Sequence, residues 1–528
     1  MSRAARSETL VAIARPDHLK RLPELARRVV AAGRERMLVR SPFDLEPIGE
    51  VPRSTPSDVV AAAAQARRVQ EDWAQRPIPD RARVFRRFHD LILDRQSEVL
   101  DLIQLESGKA RAHAHEEVAD AAIVSRYYAH RAEDLLAPQS RQGLVPGVTQ
   151  TWEYHHPKGL VAIVAPWNYP LSMGITDAIP ALLAGNAVIE KPDSQTPFTT
   201  LWAIDLLVEC GLPEGLWQVV CGAGPVLGPE LIAAADYVQF TGSTATGRTI
   251  ARQAGERLLG CSLELGGKNP MLVLADADLD AAVAGAVRSS FSSAGQLCVS
   301  TERLFVHRSL HDRFLAGFVE ATKKLRLGVG LDWTYDVGTL TSEKQLATVR
   351  AHVEDAEAKG AKVEAGGRHR PEVGPLVFEP TILSGVTPGM TLCAEETFGP
   401  VVSVYPFESN HEVIERANDS RYGLNASIWS RDTELARRMA TRLACGTVTI
   451  NETYTAGWGS VDAPMGGFKD SGLGRRHGAE GLLKYTESQN VTIQRGPALA
   501  PPKGVPAEAF AKGLTGALRA LKRVPGVR

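Results

Sequence analysis

The sequence is short of several things, and each shortage excludes a class of protein. Cysteine is scarce: six residues among 528 (Cys210, Cys221, Cys261, Cys298, Cys393 and Cys445), scattered and with no CxxC pair. That spacing offers neither a disulfide framework nor a zinc site, so no metal is expected, and it suits a reducing cytoplasm. Neither sign of charge is in excess, with 60 Lys and Arg against 61 Asp and Glu, so there is no electrostatic footprint for nucleic acid. No run of about 18 apolar residues could span a bilayer. The opening MSRAARSETLVAIARPDHLK is charged and lacks the apolar stretch of a signal peptide. Internal repeats and long linkers are absent too. What is present, 44% hydrophobic and 23% charged residues, is the composition of a folded globular chain. At this length one hydrophobic core does not suffice, so two or more domains are expected.

Residues 57–136 are rich in Ala and Arg, with apolar residues at helical spacing. From about residue 160 the pattern alternates. GLVAIVAPW, NAVIEK, LWQVVCG, DYVQFTG and CSLELGG have the character of buried strands; LSMGITDAIPALLAG, FTTLWAIDLLVECG and GRTIARQAGERLLG read as helices. This alternation predicts an open parallel sheet covered on both faces, an α/β fold. A second alternating stretch runs from about 269 to 450 and predicts a second α/β domain. Beyond Arg495, GPALAPPKGVPAE reads as a connecting segment, followed by a basic amphipathic helix with Phe510, Leu514, Leu518 and Leu521 on one face. Docking of that helix on its own protein is preferred to contact with a membrane surface.

Several residues carry chemistry at strand ends, where open α/β sheets bind ligands. Gly242-Ser243-Thr244-Ala245-Thr246-Gly247 joins a strand to a helix, and small residues there let backbone N–H groups approach a phosphate. It is neither a P-loop nor GxGxxG, and alone it is an ordinary turn. Lys191 closes a strand before Pro192, Asp193 and Ser194, within reach of a ribose or phosphate; a solvated lysine is the commoner meaning. Cys298 follows Gly295-Gln296-Leu297 and is a candidate nucleophile. Glu264 leaves an apolar strand for a glycine turn, as a general base or as a structural carboxylate. Asn168 lies between two prolines in PWNYP, either as an oxyanion donor or as a turn asparagine.

Taken together, PWNYP, KPDSQTP, FTGSTATG, LELGGKNP, AGQLC, EETFGP and APMGGFKDSG resemble the aldehyde dehydrogenase superfamily in order and spacing, over roughly residues 35–495. Within it the chain most resembles the actinobacterial NADP-dependent succinate-semialdehyde dehydrogenases. The resemblance implies Cys298 as nucleophile, Glu264 as the base that activates water, and Asn168 with the Cys298 N–H as oxyanion hole. It implies a cofactor, NADP in preference to NAD, lined by Trp167, Asn168, Lys191, Pro192, Asp193, Ser194, Gly242, Ser243 and Leu265. Glu396 would hold the nicotinamide ribose, with Phe398 beside the ring. The implied organisation is an N-terminal extension (1–34), a Rossmann-like cofactor domain (35–147 and 158–263) and an α/β catalytic domain (264–460). A small β extension for oligomerisation (148–157 and 486–495) and a Pro-rich basic tail (496–528) complete it, in a homodimer or homotetramer.

Succinate semialdehyde carries a carboxylate that needs cationic or several neutral donors. Well-known enzymes for it bear arginines at the places taken here by Thr176 and Ser292; Ser460 retains a matching carboxylate contact. Phe291 and Trp458 are expected to line a more apolar tunnel, which leaves a longer aliphatic or aromatic aldehyde as the other substrate reading. A CoA-acylating enzyme is disfavoured because such relatives generally lack the base that Glu264 supplies. A non-enzymatic binding protein is disfavoured because Cys298, Glu264 and Asn168 are all present.

Overall fold

A computed structural model describes residue 13, residues 15–145 and residues 148–523. Residues 1–12 and 14 of the expected N-terminal extension, 146–147, and 524–528 of the tail lie outside the described residues.

The alternating stretch from residue 160 forms a six-stranded sheet in the order Gly472–Leu473, Gly260–Glu264, Tyr237–Thr241, Leu160–Val164, Ala187–Lys191, Trp217–Val219. All neighbours are parallel except the first pair. Its central strand, Leu160–Val164, is a continuous apolar run because helices cover both faces; Leu160 to Ile163 are at most 1% exposed. Leu160–Val164 is the earliest strand of the sheet and has later strands on either side. The strand order therefore reverses beside it, and the crevice at its carboxyl end is where such sheets take ligands. One helix was not expected from the sequence: Gly224–Ala234 carries Pro225 near its start and Pro229 inside, residues that ordinarily break a helical pattern.

The second stretch forms a seven-stranded sheet, in the order Lys362–Ala365, Thr381–Ser384, Val401–Phe407, Thr301–His307, Asn269–Val273, Asn425–Trp429, Thr447–Ile450. Only its first pair is antiparallel. Four residues, 265–268, join the two sheets between Glu264 and Asn269. The chain later returns, and Gly472 pairs with Glu264 at the edge of the first sheet. A three-stranded antiparallel sheet sets Thr149–Pro157 between Thr486–Gln494 and Gln139–Arg141. Residues 487–494 are exposed along their length.

The terminal helix forms at Ala507–Leu521, but none of its residues is buried and Leu518 is 57% exposed. The expected docking of its apolar face is therefore not seen; the exposed Pro- and Gly-rich residues before it carry no packing that would hold the helix down. No described helix is long and apolar enough to cross a membrane.

Candidate active site

A cavity of about 330 Å³ opens at the strand ends, and three of the loops that line it are held by buried polar contacts. The first follows Leu160–Val164. Pro166, Trp167, Asn168 and Tyr169 leave the strand, and Pro170 begins the next helix, where its missing N–H costs nothing and its fixed φ favours the turn. The Asn168 side chain donates from Nδ2 to the carbonyl of Gln296 at 3.0 Å. That bond joins the first loop to the second, which carries Cys298.

The second loop is tightly wound. Ser293 and Ala294 have φ of 52° and 54°, and Gly295 has φ of 69°. A side chain at Gly295 would meet the Gly399 carbonyl at 2.1 Å, so only glycine fits. Polar groups hold the strained turn. The Ser293 N–H donates to His113 Nδ1 at 3.1 Å. Burial pushes that imidazole down to about 4, so the nitrogen is free to accept. Gln296 receives the Thr341 N–H at 2.9 Å and donates to the carbonyls of Ser293 and Thr339. Asn269 donates to the carbonyls of Cys298 and Ser300 at 2.7 and 2.8 Å.

Glu264 ends its strand with its carboxyl group in the same cavity. Burial pushes that carboxyl up to about 7, against the nearby charges of Arg476 and Lys484. The Cys298 thiol is pushed up to about 12, first by burial and then by the carboxylates of Glu264 and Glu396.

The third loop is Glu395 to Pro400. A buried ion pair, Lys268 Nζ to Glu302 at 2.5 Å, lies beneath it. Glu302 also accepts the N–H groups of Thr397 and Phe398 at 3.0 and 2.9 Å, which supports Phe398 at a φ of 53°. Gln345 donates to the carbonyls of Thr397 and Phe398. The Phe398 ring then meets Trp167 edge-on, with centroids 5.5 Å apart. Glu396 accepts the Gly267 N–H at 2.9 Å, and burial beside Glu302 pushes its carboxyl up to about 8.

The aldehyde dehydrogenase family profile matches residues 29–491. A protein of Mycolicibacterium smegmatis named "Putative succinate-semialdehyde dehydrogenase, NADP(+)" is 52% identical over 90% of this chain and 92% of its own. A solved betaine aldehyde dehydrogenase of Staphylococcus aureus in complex with NAD+ superposes with a TM-score of 0.84 at 33% identity, over 89% of this chain and 94% of that one. A solved E. coli NADP-dependent enzyme does so with a TM-score of 0.84 at 36% identity, over 88% and 96%. The chain belongs to the aldehyde dehydrogenase family. Its fold is that of the family: a Rossmann-like sheet, an α/β sheet bearing Cys298 and a small β extension.

In this aldehyde dehydrogenase one cavity gathers Trp167, Asn168, Gly242, Ser243, Glu264, Leu265, Cys298, Glu396, Phe398 and Trp458. Lys191, Pro192, Asp193 and Ser194 stand outside it, at the end of the adjacent strand. Lys191 donates to the Pro192 carbonyl at 2.8 Å and Ser194 Oγ to Gly222 at 3.4 Å. Of the expected substrate residues, only Trp458 lines the cavity. Phe291 does not form a tunnel wall; it stacks on Phe318 in the core of the second sheet, because the helix Leu279–Phe291 ends with that face inward. Ser292 Oγ donates to the Arg288 carbonyl and is 3% exposed. Ser460 is exposed and donates to the Ala456 carbonyl. Thr176 is buried and donates to Ser172.

Sequence reasoning missed Arg476. Its guanidinium donates to Thr176 Oγ1 at 2.8 Å and to Asp177 at 3.1 Å, and it stands 5.3 Å from the centre of the Trp458 ring. It forms a buried ion pair with Asp177 behind the cavity wall, against Thr176, which stands where an arginine was looked for. The only hint was the second arginine of GLGRRHG, just past the APMGGFKDSG motif. Lys344 and Gln345 also line the cavity and had no local signal.

Proposed function

We propose that the chain oxidises an aldehyde to a carboxylic acid through a thioester on Cys298, with succinate semialdehyde as substrate and NADP used at least as well as NAD. The observation that carries the reaction is the convergence of Cys298, Asn168 and Glu264 on one cavity. The relative named for succinate semialdehyde and NADP supports the finer reading.

The residues fit a nicotinamide dinucleotide. Ser243 caps the helix Thr244–Glu256, whose N-terminus favours a phosphate. Lys191 Nζ has one carbonyl partner at 2.8 Å, leaving hydrogens for a ribose or phosphate. Glu396 and Phe398 would hold the nicotinamide end. When bound, the cofactor accepts the hydride.

The remaining steps belong to the chain. Its thiol stands near 12, so Cys298 gives its proton up to solvent as the sulfur attacks, and Glu264 is kept as the base for water. The sulfur adds to the aldehyde carbon, and the oxyanion is met by the Asn168 amide and the Cys298 N–H. Once hydride has left, a thioester remains. Glu264 then takes a proton from water, the water oxygen adds to the thioester carbon, and the C–S bond breaks to release the acid. In this reading 264–460 is the catalytic domain, 35–147 with 158–263 the cofactor domain, and 148–157 with 486–495 an oligomerisation extension of a cytoplasmic homo-oligomer.

A second reading, a longer apolar aldehyde, draws on the cavity wall of Tyr169, Met173, Leu297 and Trp458. Ranking kcat/KM across succinate semialdehyde, butanal, hexanal and benzaldehyde with both cofactors tests the two. Succinate semialdehyde should lead butanal by at least tenfold, about 1.4 kcal/mol; the reverse order establishes the apolar reading. Cys298→Ala should abolish turnover and leave cofactor affinity nearly unchanged, and wild-type kcat in that variant ends the mechanism.

A further inference from the structure

Behind the oxyanion loop lies a buried ion pair that the reaction sequence above does not use. Lys109 and Glu117 meet at 2.5 Å with side chains 1% and 0% exposed. Glu117 lies on the helix Arg111–Leu136; Lys109 lies just before that helix. Among the described residues, every hydrogen-bond or ring partner of their side chains outside the pair falls within five consecutive residues. Lys109 Nζ donates to the main-chain carbonyl of Asn168 at 2.6 Å. The same ammonium stands 3.5 Å from the centre of the Tyr169 ring. Glu117 accepts the N–H groups of Leu171 and Ser172 at 2.8 and 3.2 Å, the free donors at the start of the next helix.

We propose that the Lys109–Glu117 pair is a positioning device for the oxyanion hole, fixing the main chain of residues 168–172 and hence the aim of the Asn168 amide. The proposal rests on the reading of Asn168 as an oxyanion donor.

Two observations separate this role from simple stabilisation. First, a fully buried ion pair is a poor way to stabilise a fold, because desolvating both charges costs several kcal/mol per ion and apolar residues of equal volume do as well. Second, the molecule holds its own control. Glu106 caps the neighbouring helix Pro197–Glu209 in the same manner, accepting the N–H groups of Phe198 and Thr199 at 2.7 and 2.8 Å. Among the described residues no lysine or arginine pairs with Glu106. Capping a helix from a buried glutamate therefore does not call for a cation. What Lys109 adds is the bond to the carbonyl of Asn168. An amide in an oxyanion hole must be held to a fraction of an ångström, and its support has to come from the main chain that bears it. The far end of the Asn168 side chain is held by Gln296, two residues before the nucleophile, so the residue is fixed from both sides.

Lys109→Met combined with Glu117→Gln removes both charges at nearly constant volume. Removing one oxyanion donor slows acyl chemistry by about 10²–10³-fold, so a misaimed donor should lower kcat at least about tenfold. KM for the aldehyde and Kd for the cofactor should stay within about twofold. The decisive readout is a double-mutant cycle on kcat: in an Asn168→Ala background the same pair of substitutions should change kcat by less than about twofold. A full loss in both backgrounds would show that the pair does not act through Asn168, and unchanged kcat in the wild-type background would end the proposal. If the doubly substituted chain does not fold, as judged by its Tm, Glu117→Gln alone enters the same cycle with the same two outcomes. A wild-type chain without dehydrogenase activity would instead refute the proposed function.

Discussion

Asp193 and Gln195 are joined by a hydrogen bond within one turn: the Asp193 carboxylate accepts the Gln195 N–H at 2.9 Å. The acidic side chain beside Lys191 is thus engaged in its own backbone. Ser194 is then the residue whose replacement by a carboxylate would bear on cofactor choice. A carboxylate at 194 would accept hydrogen bonds from an adenosine ribose and repel a 2′-phosphate, at several kcal/mol for mismatched interface charges. Serine is neutral and can donate to the phosphate.

The expectation for cofactor choice follows. Native kcat/KM for NADP should equal or exceed that for NAD, and Ser194→Glu should shift the ratio toward NAD by at least tenfold. A native preference for NAD of tenfold or more, about 1.4 kcal/mol, contradicts the argument from Ser194.

On the proposed mechanism Glu264, with its carboxyl near 7, should set the pH dependence of thioester hydrolysis. Below that value it carries its proton and cannot take one from water; above it the carboxylate is ready. Hydrolysis should therefore rise with pH and level off above a midpoint near 7. Glu264→Gln should give one turnover of reduced cofactor and then stall. Rapid-quench traces with no burst and normal steady-state turnover would remove Glu264 from the mechanism.

The Cys298 thiol, pushed up to about 12, is almost wholly protonated at neutral pH in the cofactor-free enzyme. Its alkylation by iodoacetamide depends on the thiolate fraction, so the rate should climb about tenfold per pH unit between pH 7 and 10. A plateau below pH 9 would mean that the thiol is ionised by a group the buried carboxylates do not outweigh.

Much of the site was legible because its signals are local. AGQLC, LELGG and PWNYP are short local motifs whose order along the chain singles out Cys298, Glu264 and Asn168 as candidates, and apolar runs with intervening helices announce the sheets. The substrate end was less legible. Phe291 reads as a cavity residue because it stands near Cys298 in the chain, yet the end of its helix turns it into the core. Arg476 went unread because nothing adjacent to it says that it lies against Thr176, 300 residues earlier.

By itself, the sequence determined the family and the α/β alternation, and it put forward Cys298, Glu264 and Asn168 as the candidate nucleophile, base and amide. Only the tertiary structure decided what supports and surrounds them: Lys109 at the carbonyl of Asn168, 59 residues away, Gln296 on the Asn168 amide, 128 residues away, and Glu302 beneath Thr397, 95 residues away. The physical reason is one of range. Strand and helix periods and turn chemistry act over a few residues and leave a local pattern. A buried hydrogen bond between distant segments depends instead on sheet order and on which strand ends meet, and neither partner carries a mark of the other.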